Sequence, residues 1–235
     1  MEKLSGVHKR NNVYMGRDLP RDFEAVEYIA KHGDFPFELM DYQKEVVASL
    51  ANLSRSGMFP DVGTGKTAMS VALAKIRRER FGNRTLIILP PILRYQWEKA
   101  LRGFGETDIT VYDGPPKKRH TKNLKAQWVI MGIEIFKKDF VMVYEAFRHD
   151  NVTVIVDEAV SVKNVTSENH RSLRDFLDGN ISNVRERRKN AVKRAETRAE
   201  AKKAGMSAKQ FEAAKKDESV NIKLATLKNL IKKGR

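Results

Sequence analysis

Short, uninterrupted runs of apolar residues alternate along the chain with longer segments of helical periodicity. Continuous apolar runs, unlike alternating ones, indicate strands of a parallel sheet that is buried on both faces. Helices are predicted over 66–80 and 93–104, and Met58–Phe59 is a brief candidate strand. The pattern predicts an α/β lobe with a parallel sheet. The four clearest strand candidates are 85–89, 109–112, 128–131 and 152–156.

The segment before this region is mixed and polar. Residues 1–34 are interpreted as an N-terminal lead-in with one short helix at Phe23–Ala30. Asp41 can cap a helix that begins at Tyr42 and continues to Gly57.

The chain ends in a basic, mainly helical extension, residues 181–235, which leaves 35–180 for the α/β lobe. Val184–Ala204 favours helix but has almost no large apolar residues to bury. Ser207 and Gln210 are spaced as a capping box for a further short helix. An apolar stripe then returns at Val220, Leu224, Leu227 and Ile231.

Composition narrows the function classes. The chain has 235 residues, 41% of them hydrophobic, which suffices for one well-buried domain plus an extension. It contains no cysteine, so disulfides, zinc fingers and thiol catalysis are excluded. No segment approaches the roughly 18 apolar residues that span a bilayer, and no signal peptide is visible. We therefore expect a soluble, intracellular protein with no membrane partner.

The net charge of +15 lies mostly in the extension. Residues 181–235 contain 17 Lys and Arg against 6 Asp and Glu, a net +11, whereas the preceding 180 residues carry only +4. Such asymmetry is typical of a basic arm that contacts nucleic acid, although a merely solvated, lysine-rich helix is the alternative. The best candidates here for DNA phosphate contacts are Arg187, Arg188 and Lys189.

The strongest chemical signal is the loop Pro60–Thr67, which lies directly before a predicted helix. Its glycines let backbone N–H groups turn inward around phosphates, and Lys66 can reach the β- and γ-phosphates of ATP. Thr67 can bind Mg²⁺ through its hydroxyl. The alternative is a chance Gly-Lys-Thr turn, because proline stands where the general pattern has its first glycine. The candidate nucleotide ligands are Gly63, Thr64, Gly65, Lys66 and Thr67.

An apolar strand that ends in two adjacent acids follows about 90 residues later. Asp157 would bind Mg²⁺ and Glu158 would act as general base towards the attacking water. Such a pair often only caps the next helix. Downstream of a phosphate loop, with strands between, it becomes specific for ATP binding, with Lys66, Asp157 and Glu158 as catalytic candidates.

Four segments occur in a characteristic order, namely Phe37–Gln43, Asp61–Thr67, Leu86–Glu98 and Asp157–Asn164. Together they resemble the motifs of superfamily-two helicases (DEAD/DEAH-like), in particular the Swi/Snf-type translocases. The resemblance covers roughly Phe37 to Phe176. It implies a single RecA-like P-loop lobe that binds ATP and Mg²⁺, with Gln43 placed on the adenine. It also implies DNA backbone contacts from the third segment, where Arg94 and Gln96 are the candidates.

The sequence departs from this family in two respects. Val160 stands where the family's acidic box ends in histidine, the residue that couples hydrolysis to the rest of the motor. The next family motif, a Ser/Thr-Gly/Ala-Thr sequence, and the second RecA-like lobe with its arginine finger are not found after Asn164. A fragment or split gene, an insertion within a longer motor, and a truncated lobe kept as a binding protein would each explain this.

We therefore expect the ATP-binding lobe of an ATP-dependent DNA helicase or translocase, with slow hydrolysis unless a second polypeptide supplies the other lobe. The alternatives are a non-enzymatic DNA-binding or regulatory protein derived from such a lobe, and another kind of P-loop ATPase. The sequence also supports two predictions about side-chain exposure. Trp97 and Trp128 are expected in the core, and Lys117–His120 is expected to form an exposed basic loop.

Overall fold

The computed structural model describes residues 21–32, 35–36 and 38–181, with scattered positions of the extension: 186, 189, 193, 195–201, 207, 209–210 and 213. The chain divides into two compact units, Met1–Gly179 and Asn180–Arg235. In the described ranges, no helix is both long and apolar enough to cross a membrane.

The first unit is built on a sheet of four parallel strands in the order β2-β3-β1-β4. The central strands are buried on both faces, because every residue from Thr85 to Leu89 and from Trp128 to Gly132 is buried. The predicted parallel sheet is therefore confirmed. The strands are β1 (Arg84–Leu89), β2 (Ile109–Val111), β3 (Trp128–Gly132) and β4 (Val152–Val156).

Eight helices accompany the sheet in the described part of this unit. Three of them, α1 to α3, pack together in one apolar cluster, while α3 also contributes to a second cluster with α4 and the sheet. They are α1 (Phe23–His32), α2 (Asp41–Leu50), α3 (Lys66–Phe81), α4 (Arg94–Gly103), α5 (Pro116–Arg119), α6 (Ile133–Lys138), α7 (Phe140–Phe147) and α8 (Glu168–Leu177). Short 3-10 turns occupy Pro91–Leu93 and Ala159–Val162.

Two local predictions are wrong. Met58–Phe59 lies in neither helix nor strand, and the Phe59 side chain is 90% exposed, so no buried face holds the pair in a sheet. Helix α2 begins at Asp41 and ends at Leu50, well before Gly57. Its cap is Met40, whose backbone N–H donates to the Gln43 side chain at 3.0 Å.

The extension is described only in part. Its described positions between 181 and 201 are helical, as expected for Val184–Ala204. The Ser207–Gln210 capping box is confirmed, since the Ser207 N–H donates to Gln210 Oε1 at 3.0 Å and the Gln210 N–H donates to Ser207 Oγ at 3.4 Å. Lys189 is helical and exposed, whereas Arg187, Arg188 and the apolar stripe lie outside the described residues.

Candidate functional site

The phosphate loop takes the conformation that its glycines permit. Gly63 and Gly65 have φ angles of 84° and 79°, in the left-handed region that glycine adopts without strain. Gly65 is also the cap of α3, so the loop leads directly into the helix N-terminus. A Cβ atom at Gly65 would lie 2.5 Å from Gln43 Nε2, so a side chain there would force the Gln43 amide to move.

The Lys66 ammonium lies inside this loop. Its Nζ donates to the carbonyl oxygens of Pro60 at 3.0 Å and Asp61 at 3.1 Å, and the Thr64 hydroxyl donates to the same Asp61 carbonyl at 2.7 Å. These hydrogen bonds hold the loop, which has no regular secondary structure, around the lysine side chain. Thr67, next in α3, is half-buried beside it.

The loop and Asp157, the first residue of the acidic pair, meet at one cavity of about 300 Å³. Lys66 and Thr67 line it from α3, while Asp157 lines it from the end of β4. This geometry follows from the parallel sheet, which brings the carboxyl ends of its strands to one edge. Glu158 does not line the cavity. It is exposed, and among the described residues it is the one non-glycine with positive φ, at 52°.

The Asp157 carboxylate is held from two directions. Its Oδ2 accepts the indole N–H of Trp97 at 2.7 Å, and its Oδ1 accepts the Glu158 backbone N–H at 3.0 Å. The Asp157 N–H donates to Ile88 of the neighbouring strand β1 at 3.0 Å. Trp97 is buried as predicted, but its contact with the site was not anticipated from the sequence.

Gln43 bridges α2 and the phosphate loop. Its Nε2 donates to the Thr64 carbonyl at 2.9 Å, its Oε1 accepts the Met40 N–H, and the Tyr42 hydroxyl donates to the Thr64 carbonyl at 2.9 Å. The side chain is largely buried. Gln43 therefore lies beside the phosphate loop, and its contact with adenine remains a prediction.

With this geometry established, comparison with known proteins identifies the lobe. The sequence matches the SNF2-related domain over residues 42–181. The chain belongs to this family. A similar solved structure is the Sulfolobus solfataricus SWI2/SNF2 ATPase core in complex with double-stranded DNA, with a TM-score of 0.50 and 18% sequence identity. The match covers 60% of this chain and 30% of the Sulfolobus chain, so this chain spans less than a third of it. No curated protein matches the sequence.

The predicted DNA contacts of the SNF2-related lobe differ in exposure. Gln96 is exposed on α4, whereas the Arg94 side chain is mostly covered and its Nη2 lies 3.8 Å from Asp113 Oδ2. Burial alone would raise the pKa of Asp113, but hydrogen bonds from Lys122 and Tyr95 outweigh it and hold that pKa below its usual value. Arg94 would have to leave this acidic partner to reach a phosphate.

The expected basic loop is only partly exposed. Lys117 and Lys118 face solvent in α5, but Arg119 is buried and its Nη2 donates to Asp139 Oδ1 at 2.9 Å, so that expectation is wrong for Arg119. Burial opposes the ionised form of Asp139, yet the Arg119 and Tyr112 hydrogen bonds lower its pKa overall. Burial and the bond to Asp139 raise the pKa of Tyr112 to about 12.

The departure at Val160 has a clear position in the SNF2-related lobe. Val160 lies in the 3-10 turn that follows the acidic pair, and its side chain is 66% exposed. It makes an apolar spot on the surface beside the nucleotide cavity. It can neither donate nor accept a hydrogen bond through its side chain.

Proposed function

We propose that this chain is the ATP-binding lobe of an ATP-dependent DNA translocase or helicase. One observation carries the proposal: Lys66, Thr67 and Asp157 line the same cavity, although about 90 residues separate Asp157 from the loop. Membership in the SNF2-related family supports it. The Sulfolobus protein of similar fold is described as an ATPase core bound to double-stranded DNA.

The side chains at this cavity fit a magnesium nucleotide. The Thr67 hydroxyl and the Asp157 carboxylate are hard oxygen ligands of the kind that Mg²⁺ prefers. Helix α3 begins at Lys66, so its N-terminal N–H groups and the ammonium add positive charge at the same place. Thr67 and Asp157 would hold the Mg²⁺, which would neutralise negative charge that develops on the phosphates.

Each residue has a defined task in this proposal. Lys66 exchanges its hydrogen bonds with the loop carbonyls of Pro60 and Asp61 for bonds to phosphate oxygens. Glu158 does not line the cavity in this structure, so it would have to turn towards the phosphates to accept a proton from the attacking water. Gln43 would accept a hydrogen bond from adenine. Its Oε1 has a second lone pair that the contact with Met40 does not use.

Double-stranded DNA would cross the lobe near the segment that follows β1. Gln96 is exposed there, Arg94 lies beside it, and the basic extension supplies Lys189 together with Arg187 and Arg188. Contacts of this kind are mainly to phosphates, so they are independent of DNA sequence and weaken steeply with salt.

Efficient hydrolysis requires groups beyond those of this lobe. An arginine finger increases the hydrolysis rate of other P-loop enzymes by about 10³–10⁵-fold. In the helicases that this sequence resembles, the second lobe supplies that arginine. We therefore propose that a second RecA-like lobe, on another polypeptide or a continuation of this one, completes the site. Without it the chain binds nucleotide but turns it over very slowly.

Isothermal calorimetry with ATP and Mg²⁺ tests the proposal. The intact chain is expected to bind, and Lys66→Ala is expected to abolish binding because the phosphates lose their principal cation. Lys31→Ala is the matched control, since it removes the same charge from an exposed position on α1. Absence of binding by the intact chain, or equal binding by Lys66→Ala, contradicts an ATP-binding lobe.

One observation favours a second candidate, a non-enzymatic DNA-binding or regulatory protein. Val160 replaces the coupling histidine, while the net +11 of the extension retains the means to bind DNA. Such a protein would bind DNA with an affinity that neither ATP nor Lys66→Ala changes. Fluorescence anisotropy of labelled DNA, with and without ATP, separates it from a nucleotide-dependent lobe.

A further inference from the structure

Two buried indoles donate to carboxylates in this lobe, and they are the only two tryptophans of the chain. Trp97 Nε1 donates to Asp157 Oδ2 and Trp128 Nε1 donates to Glu106 Oε2, both at 2.7 Å. The exposed fractions are 4% for Trp97 and 1% for Trp128. The two contacts are thus alike in length, and the two indoles are alike in burial.

The two carboxylates differ in everything else. Glu106 is buried and is also bonded to two cations, with Lys75 Nζ at 3.0 Å and Arg78 Nη1 at 2.9 Å. Its charge is therefore neutralised inside the fold, and its role is structural. Asp157 instead lines the nucleotide cavity, and the donors described above for it, the indole and the Glu158 N–H, are both neutral.

A neutral donor has a particular consequence for a metal ligand. It fixes the direction of the carboxylate without cancelling the negative charge that attracts Mg²⁺, as an ion pair with lysine or arginine would. Such outer contacts orient metal ligands, and their removal typically costs about 10-fold to 100-fold in metal affinity.

The Trp97 ring is itself fixed. It belongs to the apolar cluster that α3, α4 and the sheet share, with neighbours that include Val71, Leu89 and Leu101. A buried indole N–H needs an acceptor, and packing determines which one it reaches. Here the ring directs its N–H out of the core to the end of β4, where Asp157 lies at the cavity.

We propose that Trp97 is a positioning residue for the magnesium nucleotide. Its indole N–H holds Oδ2 of Asp157 and orients the carboxylate for Mg²⁺. This inference rests on the proposed function and deepens it, since it assigns a role in metal binding to an uncharged side chain that lines the same cavity.

The first test uses the free protein. In a spectrum of ¹⁵N-labelled protein the two indole N–H groups give two signals, which Trp97→Phe assigns. Asp157→Asn is expected to move the Trp97 signal, because the acceptor loses its charge, and to leave the Trp128 signal in place. Addition of ADP with Mg²⁺ to the wild-type protein is expected to perturb the same signal selectively. A Trp97 signal that responds to neither change overturns the inference.

The second test compares Trp97→Phe with the matched variant Trp128→Phe by calorimetry. Both remove a buried indole N–H from a carboxylate that it bonds, so the loss of packing and of one hydrogen bond is common to both. Trp97→Phe is expected to weaken Mg²⁺-dependent ADP binding about 10-fold to 100-fold and to leave binding in EDTA unchanged, whereas Trp128→Phe changes neither. Equal Mg²⁺ dependence in wild type and Trp97→Phe overturns the positioning role alone. A wild-type protein that binds no nucleotide overturns the proposed function as well.

Discussion

Replacing Gly65 by alanine places a methyl group against the Gln43 side chain. The new Cβ would lie 2.5 Å from Gln43 Nε2, and the backbone there has a φ of 79°. The substitution therefore has two separable costs, one from the left-handed backbone and one from the displaced amide. Gly82, at the other end of α3, offers the matched control, because its φ is 67° and a Cβ there meets nothing within 4 Å.

The structure gives a magnitude for each cost. A left-handed conformation costs a non-glycine residue roughly 1–2 kcal/mol, and this applies to Gly65→Ala and Gly82→Ala alike. Displacing the Gln43 amide breaks its 2.9 Å bond to the Thr64 carbonyl and leaves polar groups poorly satisfied, which adds about 1–3 kcal/mol. We expect Gly65→Ala to cost about 3 kcal/mol and Gly82→Ala about half of that.

Urea or thermal denaturation measures the difference. At roughly 2–4 °C per kcal/mol for a protein of this size, Gly65→Ala should lower Tm by about 10 °C. In a Gln43→Ala background the clash is absent, so the cost of Gly65→Ala should fall to that of Gly82→Ala. Equal costs for the two glycine variants in the wild-type background, or no relief by Gln43→Ala, would refute the reasoning.

Two further predictions concern buried ion pairs. Glu106→Gln should lower the free energy of unfolding by about 3–5 kcal/mol, because it leaves Lys75 buried beside a neutral partner, and a urea titration measures this. Asp139→Asn should destabilise the protein in the same assay by removing the Arg119 partner. Because folding lowers the pKa of Asp139, its contribution is complete above the ordinary aspartate pKa of about 4 and is lost as the pH falls through the lowered value. The difference between wild type and Asp139→Asn should therefore shrink below pH 4, and an unchanged difference would contradict this cause.

The sheet could be predicted from sequence because its central strands β1 and β3 are buried on both faces and the edge strand β4 is also almost entirely apolar. Runs such as Thr85–Leu89 and Val152–Val156 have no polar alternation, and the prediction of their direction and position holds. The prediction of a strand at Met58–Phe59 was wrong because two apolar residues are too short a pattern to distinguish a strand from a loop. The helices α6 and α7 were not predicted, since their apolar residues follow β3 without an obvious break.

The candidate site shows the same division. The positions of Lys66, Thr67 and Asp157 on one cavity follow from motif order and from the common edge of a parallel sheet. The direction of the Trp97 indole could not be predicted in this way. An aromatic residue in an amphipathic helix gives the same sequence pattern whether or not its N–H has an acceptor. The prediction that Arg119 is exposed was wrong, because a run of basic residues does not show that one of them pairs with a buried carboxylate.

Helix α4 has a consequence for communication across the lobe. Gln96 and Trp97 are successive residues, so about 100° of helix rotation separates an exposed side chain on one side from the indole that bonds to Asp157 on the other. A rigid helix cannot move one without the other. A ligand that shifts the outer face of α4 would therefore also move the indole N–H that Asp157 accepts.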